Sequence, residues 1–355
     1  MAALAEAKVD VVQIDSLVVM KIVKHVDSEF YSGMTEVAGE TCSGILTGLI
    51  SMEEKKLEVT NCFATPRSES FIEGEETNQI AVSQVENKQE EVMEMLRRFR
   101  SMNIDYELVG FYQAHFFGAC FTHEMVESLV DYQSSVQDGV CLIYDPVKTR
   151  QGKLSLHAYR LSKKALDLCV NTDWSPEVVK QAGLTYETML EELPIVIKNS
   201  HLMNVMLAEL ALTPKSKPGI HLELGTRRSL EKCLRSIMFD IDELNKALAN
   251  YNKYTQDKQK FDTMYNSLIQ KRQLENEARV ARGEAPIPLE DIKKSVKAPQ
   301  LQTKNGMMEI FLDCCDTSAY ADYAAEVTGE NVAKLFLSEA FADNSSKDRS
   351  ASIPR

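Results

Sequence analysis

A row of apolar residues at alternating intervals of four and three positions constrains the fold of this 355-residue chain most strongly. The row consists of Leu230, Leu234, Ile237, Ile241, Leu244, Leu248 and Tyr251. This spacing places the side chains on one stripe of an α-helix and repeats over three heptads. Because a lone helix cannot bury such a stripe, we predict that the helix packs against a partner. The alternative is a helix that lies on its own domain.

The stripe belongs to a C-terminal part that is helical almost throughout. We predict a long assembly helix over residues 226–284, which ends at the proline-containing sequence Ala285-Pro286-Ile287-Pro288. A polar linker over residues 285–306 leads to C-terminal helices over residues 307–342, with Leu335 and Phe336 on their apolar face. Residues 343–355 are polar and are predicted to form a disordered tail.

The N-terminal part has a different pattern, in which short apolar runs alternate with amphipathic segments. Val140–Tyr144 is typical of a buried strand, and Thr122 can cap a helix that runs to about Val136. Two prolines and a glycine between residues 213 and 219 interrupt the pattern, so we predict a linker over 213–225. The sequence thus predicts an α/β (α+β) domain over residues 10–212, with a mixed β-sheet flanked by helices.

Composition excludes several classes of function. The net charge of −13 repels phosphate, which argues against nucleic-acid binding by this chain alone. The eight cysteines form no C-x-x-C pair, so we expect the buried, reduced thiols of an intracellular protein. No apolar run approaches the length of a membrane span, and the N-terminus lacks the order of a signal peptide. We expect a soluble cytosolic or nuclear protein.

One stretch, Val109-Gly110-Phe111-Tyr112-Gln113-Ala114-His115, follows a predicted strand and precedes the helix capped by Thr122. It resembles the MPN fold, whose catalytic members carry an upstream Glu, then His-x-His-Pro, then Ser-x-x-Asp. The resemblance implies that, in the catalytic members, the two His and the Asp hold a zinc ion and a water takes its fourth position. The Glu accepts the proton of that water, and the Ser steadies the oxyanion. The motif-bearing part covers about residues 10–165.

The present sequence departs from this pattern at most positions. Gln113 stands in place of the first His, His115 in place of the second, and Phe116 in place of the Pro. Thr122 takes the Ser position and Met125 the Asp position. An amide and a thioether are poor ligands for zinc, so one of the three protein ligands remains.

The catalytic Glu is also displaced. Gly44-Ile45-Leu46-Thr47-Gly48 resembles the strand after that Glu, and the alignment puts Thr41 at its position and Glu40 one residue away. A shift of one residue turns a strand side chain to the opposite face. We therefore predict no catalytic residue, metal or cofactor. His115 is interpreted as a packed, hydrogen-bonded histidine, and the spacing of His123 and Cys120 around it does not indicate a metal site.

The resemblance extends beyond the motif. Residues 12–22, 142–146 and 192–202 are similar to the family of h subunits of eukaryotic translation initiation factor 3, a non-catalytic branch of the MPN proteins. The similarity covers roughly residues 10–340. It implies a scaffold subunit that pairs with the second MPN subunit of its complex and joins a helical bundle with PCI subunits. That cytoplasmic complex binds the small ribosomal subunit and supports mRNA recruitment, scanning and reinitiation, so contact with mRNA is expected to be indirect.

Two other functions remain open from the sequence. One is a scaffold subunit of a complex like the proteasome lid or the signalosome, which the same fold and helices would serve. The other is an atypical metallo-isopeptidase, that is, a deubiquitinase with unusual ligands.

Overall fold

The part of the chain that the structure describes is interrupted in several places. The computed structural model describes residues 9–31, 42–51, 53–65, 90–118, 121–136, 138–171, 174–212, 224, 227–282 and 307–351. The predicted linkers 213–225 and 285–306 lie outside these residues except for Leu224. Glu40, Thr41 and Cys120 also lie outside them.

Strands and helices alternate in the first part of the chain, and the elements described after residue 212 are helices, as the sequence predicts. The strands are β1 (Val11–Asp15), β2 (Cys42–Ser51), β3 (Lys56–Ala64), β4 (Leu108–Ala114), β5 (Val140–Tyr144), β6 (Leu156–Leu161), β7 (Leu190–Leu193) and β8 (Ile195–Lys198). The helices are α1 (Ser16–Tyr31), α2 (residues 90–101), α3 (His123–Ser135), α4 (Pro146–Arg150), α5 (Lys163–Asn171), α6 (Pro176–Ala182), α7 (Tyr186–Met189), α8 (His201–Leu212), α9 (Arg227–Ala281) and α10 (Met307–Ala351). A 3-10 turn, Phe116–Gly118, follows β4.

These eight strands form one mixed sheet in the order β7-β6-β5-β4-β2-β3-β1-β8. The strand β4 is central, parallel to β5 on one side and antiparallel to β2 on the other. Its neighbour β5 is buried along its whole length, as expected for an apolar strand covered on both faces. The predicted mixed sheet with flanking helices is confirmed.

The two ends of the sheet meet in one segment of chain. The apolar residues at 193–197 predict a single strand from the sequence, but Pro194 divides the segment into β7, which pairs with β6, and β8, which pairs with β1. Proline has no N–H to donate, which explains the change of partner at this residue. The Pro194 carbonyl still accepts the Val12 amide at 3.0 Å. The sheet is therefore curled until its two outermost strands are consecutive.

Each face of the sheet carries its own apolar core. One core lies between the sheet and α1, with Val147 of α4 packed against it, and the other lies between the sheet and α3, α5, α6 and α7. The C-terminal helices enter both cores, since Cys233 and Tyr323 are buried in the first and Met308 and Leu312 in the second. The pattern change after residue 212 thus separates kinds of secondary structure, whereas the packing continues across it.

The C-terminal helices differ in length from the sequence prediction. Helix α9 ends at Ala281, close to the predicted 226–284, whereas α10 is one continuous helix to Ala351 instead of helices ending at 342. The prediction of a disordered tail over 343–355 is therefore wrong as far as Ala351. Continuing an existing helix adds one hydrogen bond for each residue fixed, whereas starting one is unfavourable, so a polar tail can extend α10. No helix within the described ranges is long and apolar enough to cross a membrane.

Most of the described cysteine thiols lie in the interior of the protein. None of the seven cysteines in the described part of the chain is in a disulfide, and four of them are buried.

On β2, Gly44 lies directly beneath the ring of Tyr112. A Cβ at Gly44 would lie 2.4 Å from two ring carbons of Tyr112 and 2.5 Å from the carbonyl oxygen of Phe63. Tyr112 is fully buried, and its hydroxyl lies 2.8 Å from His25 Nδ1. Gly44 therefore makes the room that this ring occupies.

Replacing Gly44 with alanine should destabilise the domain. The added methyl group overpacks a core between two strands, which lowers the free energy of unfolding by about 1–3 kcal/mol. The control is Gly329→Ala in α10, where the added Cβ would meet no atom within 4 Å beyond the adjacent residues and the backbone of its own helix. Alanine favours helix there by up to ~1 kcal/mol. Urea unfolding followed by circular dichroism measures both, and equal stability of the two variants would contradict the packing described.

Candidate functional site

The end of β4 brings the predicted motif together with β2. Gln113 is opposite Ser43 of β2, and His115 follows directly after the strand. The backbone amide of His115 donates to the Tyr144 carbonyl of β5 at 3.0 Å, which continues the sheet pairing by one residue. Two predicted motif positions, Glu40 and Thr41, precede β2 and lie outside the described residues.

His115 has the environment of a packed side chain. Its ring Nδ1 lies 3.1 Å from the carbonyl oxygen of Phe116, and because a carbonyl only accepts, Nδ1 carries the hydrogen. Burial lowers the pKa of His115, and the Phe116 carbonyl opposes that effect. The imidazole is therefore neutral near pH 7 and is held by its own loop.

Thr122 and Met125 build the start of α3. The Thr122 hydroxyl oxygen accepts the Met125 backbone amide at 3.3 Å, so Thr122 is the N-cap that the sequence predicts. Met125 is fully buried in the second core, beside Phe111, Phe121 and Leu129. The side chain at the position of the zinc-binding Asp thus packs among apolar groups.

These residues do not fit a zinc ion. Gln113 offers an amide, Met125 a buried thioether, and only His115 an imidazole. In the part of the chain that the structure describes, no group of three or more His, Cys, Asp or Glu residues could hold a metal. Because one imidazole alone cannot hold the ion that would activate a water, we derive no hydrolytic step at this position.

The loop after His115 is instead a seat for α10. Phe117 has φ of 67°, a left-handed conformation that bulky residues seldom adopt. Its ring lies 5.0 Å from that of Tyr323 and 6.3 Å from that of Tyr320, both on α10. Tyr323 is fully buried. We name the described residues 115–118 together with 121 and 122 the motif loop, and the aromatic contacts hold its strained residue against α10.

Polar contacts also attach α10 to the domain, on both sides of Tyr320 and Tyr323 along the helix. Asp316 Oδ1 accepts the backbone amide of Phe121 at 3.0 Å. About three turns further along α10, Glu326 accepts from Lys148 Nζ at 2.6 Å and also pairs with Lys153. The hydrogen bond from Lys148, followed by that from Lys153, lowers the pKa of Glu326 to about 2. Helix α10 is therefore fixed along the motif loop and α4.

These contacts of α10 were not predicted, although the sequence carries a signal for them. Asp316, Tyr320, Tyr323 and Val327 follow one another at intervals of four, three and four residues. The predicted apolar face of this segment lies later, at positions including Leu335 and Phe336. Those two side chains are 53% and 67% exposed, so they do not face the domain.

The predicted seam of α9 is divided between two environments. Every seventh residue of it is partly buried, and these are Leu230, Ile237, Leu244 and Tyr251. The others, Leu234, Ile241 and Leu248, are 48%, 43% and 56% exposed. Met238, next to them on the helix surface, is 67% exposed. We call Leu234, Met238, Ile241 and Leu248 the outer stripe of α9, an apolar surface that the described part of the chain leaves exposed.

Known proteins resemble this chain along nearly its whole length. Residues 7–138 match the family described as JAB1/Mov34/MPN/PAD-1 ubiquitin protease, and residues 149–347 match the one described as the C-terminal region of eIF3h. The H subunit of eukaryotic translation initiation factor 3 from Brugia malayi is 60% identical over 354 residues, 95% of this chain and 93% of that protein. The proteins of the same name from Caenorhabditis elegans and Xenopus laevis are 54% and 38% identical over 96% of this chain and 94% and 96% of their own lengths.

The chain is an MPN-domain protein. Its mixed sheet with flanking helices has the architecture of that class, and the family match over residues 7–138 covers the first four strands. Within that class, the chain belongs to the family of H subunits of eukaryotic translation initiation factor 3. The resemblance found in the sequence is thereby confirmed.

The purified protein should hold no stoichiometric zinc. The ligand set is incomplete, so metal analysis after dialysis is expected to give far less than one zinc per chain. The variant His115→Ala should match the wild type in metal content, and His157→Ala, which changes a histidine on β6, serves as its control. One zinc per chain that disappears only in His115→Ala would contradict this interpretation of the site.

Proposed function

We propose that this chain is a non-catalytic scaffold subunit of eukaryotic translation initiation factor 3. The observation that carries the proposal is that the motif positions have structural roles. Thr122 caps α3, Met125 packs in the core, and the motif loop contacts α10. An active zinc centre would need these positions for ligands and an open approach for substrate. The MPN domain acts here as a platform that orients α9 and α10.

The partners follow from the family and from the exposed surface. Other subunits of the factor are the primary partners, and we infer that the second MPN subunit and the PCI subunits are among them. The outer stripe of α9, together with exposed Leu335 and Phe336 of α10, offers apolar contacts at the helical spacing that a bundle uses. Through this complex the chain supports binding of the small ribosomal subunit, mRNA recruitment, scanning and reinitiation in the cytoplasm.

Contact with mRNA is indirect in this proposal. The net charge of −13 disfavours binding of phosphate backbones by the isolated chain. Basic partners or ribosomal RNA-binding subunits would supply that contact. The chain contributes position instead, because its long helices extend the MPN platform by up to the length of α9, ~80 Å at ~1.5 Å per residue.

Charged residues on the outer stripe should release the chain from its complex. Leu234→Glu with Ile241→Glu places two carboxylates where apolar burial is worth ~1.5–3 kcal/mol per side chain. Since both residues are exposed in the isolated chain, its thermal unfolding should change little. Recovery of the other subunits after affinity purification of the tagged variant is expected to fall strongly.

The matched control is Lys246→Gln with Asn250→Glu, which changes the net charge by the same amount. Both side chains are exposed on α9. At 3.6 residues per turn they lie well around the helix from Leu234 and Ile241, so the charge is changed away from the outer stripe. This variant should recover the complex like the wild type. If both variants recover it equally, the outer stripe does not bind a partner.

Affinity purification of the wild-type chain separates the proposed complex from its rivals. Initiation factor subunits and small ribosomal subunit proteins should co-purify in amounts comparable to the tagged chain. Recovery of proteasome or signalosome particles in their place would overturn the assignment. Cleavage of ubiquitin conjugates by the purified chain, abolished by His115→Ala, would instead favour the isopeptidase.

A further inference from the structure

The attachment of α10 to the motif loop passes through a cluster of carboxylates. Asp316 of α10 accepts the Phe121 amide at 3.0 Å, a polar contact that crosses from the helix to this loop. Burial, which the neighbouring acids reinforce, raises the pKa of Asp316 to about 7, although the Phe121 amide opposes that effect. The hydrogen bond thus holds a carboxyl group in a site that disfavours its charge.

Neighbouring acids come from both C-terminal helices. Asp240 of α9 and Asp313 of α10 repel Asp316, and Glu243 and Glu309 in turn act on Asp313. Burial, followed by these acids, raises the pKa of Asp313 to about 6. Asp240 Oδ2 is buried and has no hydrogen-bond partner within the described residues. The carboxylates therefore meet where α9, α10 and the motif loop converge.

The other titratable neighbours of Asp316 in the described part of the chain carry no positive charge. Cys315 and Tyr320 are ionisable neighbours of Asp316, and burial raises the pKa of the thiol and of the phenol well above neutrality. The motif loop itself contributes the backbone amide of Phe121. Ionisation of all three aspartates therefore opposes the same contact that Asp316 makes.

We propose that Asp316, Asp240 and Asp313 form a charge-sensitive latch between α10 and the motif loop. The latch closes when the cluster carries less negative charge and loosens when all three carboxylates are ionised. Aromatic packing of Phe117 with Tyr323 keeps α10 in place beyond the latch, so loosening changes the dynamics of this junction and leaves the domain folded.

The dependence on pH has a definite sign. The carboxyl of Asp316 has a higher pKa in the closed latch than the ordinary 3.8 of an exposed aspartate, so the closed form binds protons more tightly. Closure is therefore fully favoured below about pH 4 and weakens as the pH rises from there through about 7. Above that value the latch is at its loosest, and further increase in pH has no effect through this group.

Hydrogen exchange of the purified full-length chain tests the latch. After correction for intrinsic exchange, peptides covering residues 116–125 and 312–327 should exchange on the order of tenfold faster at pH 8 than at pH 5.5. Asp316→Asn keeps an acceptor for Phe121 and removes the charge, so exchange should be slow at both values. Asp316→Ala removes the acceptor as well, so exchange should be fast at both.

Asp322→Asn is the matched control, because Asp322 is exposed on the same helix, and it should retain the wild-type dependence on pH. Asp240→Asn provides a second route if Asp316→Asn does not fold, and it should slow exchange at pH 8 relative to the wild type. The latch is refuted if the wild type shows no dependence on pH in these peptides. It is equally refuted if the folded asparagine variant, at position 316 or at 240, exchanges like the wild type at pH 8.

Discussion

The packing of Phe117 against Tyr323 joins the two halves of the chain, and much of the molecule depends on it. A bulky residue in the left-handed region costs ~1–3 kcal/mol and persists only where surrounding contacts fix it. Burial of an aromatic side chain such as Tyr323 contributes enough to offset that amount. Loop conformation and helix position are therefore set together, between residues that lie far apart in the sequence.

The elements that the sequence predicts well are those whose signals are local. The apolar run Val140–Tyr144 and the cap at Thr122 each depend on a few neighbouring residues, and both elements have the predicted form. The division of the last strand at Pro194 was missed because it depends on distant pairing partners, since β7 pairs with β6 and β8 pairs with β1. Helices α5 to α7 were also missed, since they are short and take their stability from packing on the second core.

The candidate site shows the same division between local and distant information. Residue types at positions 113 and 125 were enough to predict that zinc has too few ligands. The contact between α10 and the motif loop could not be predicted. Asp316 and Tyr323 are recognisable as contact residues only once the fold places them beside Phe121 and Phe117. The heptad row was interpreted as one seam, whereas the structure turns half of it inward. At 3.6 residues per turn, an offset of four residues places the second row about 40° around the helix from the first, so the domain can cover one row and leave the other exposed.

The meeting of β7 and β8 at Pro194 restricts how this protein can associate with others. Each of these outermost strands is four residues long, so the sheet offers no long row of unpaired amides and carbonyls at these two ends. A foreign strand would find little to extend, which protects the domain from edge-to-edge aggregation and from recognition by β-augmentation. A chain made in excess over its partners would therefore associate with other proteins through the exposed apolar surfaces of its helices, and not through the edges of its sheet.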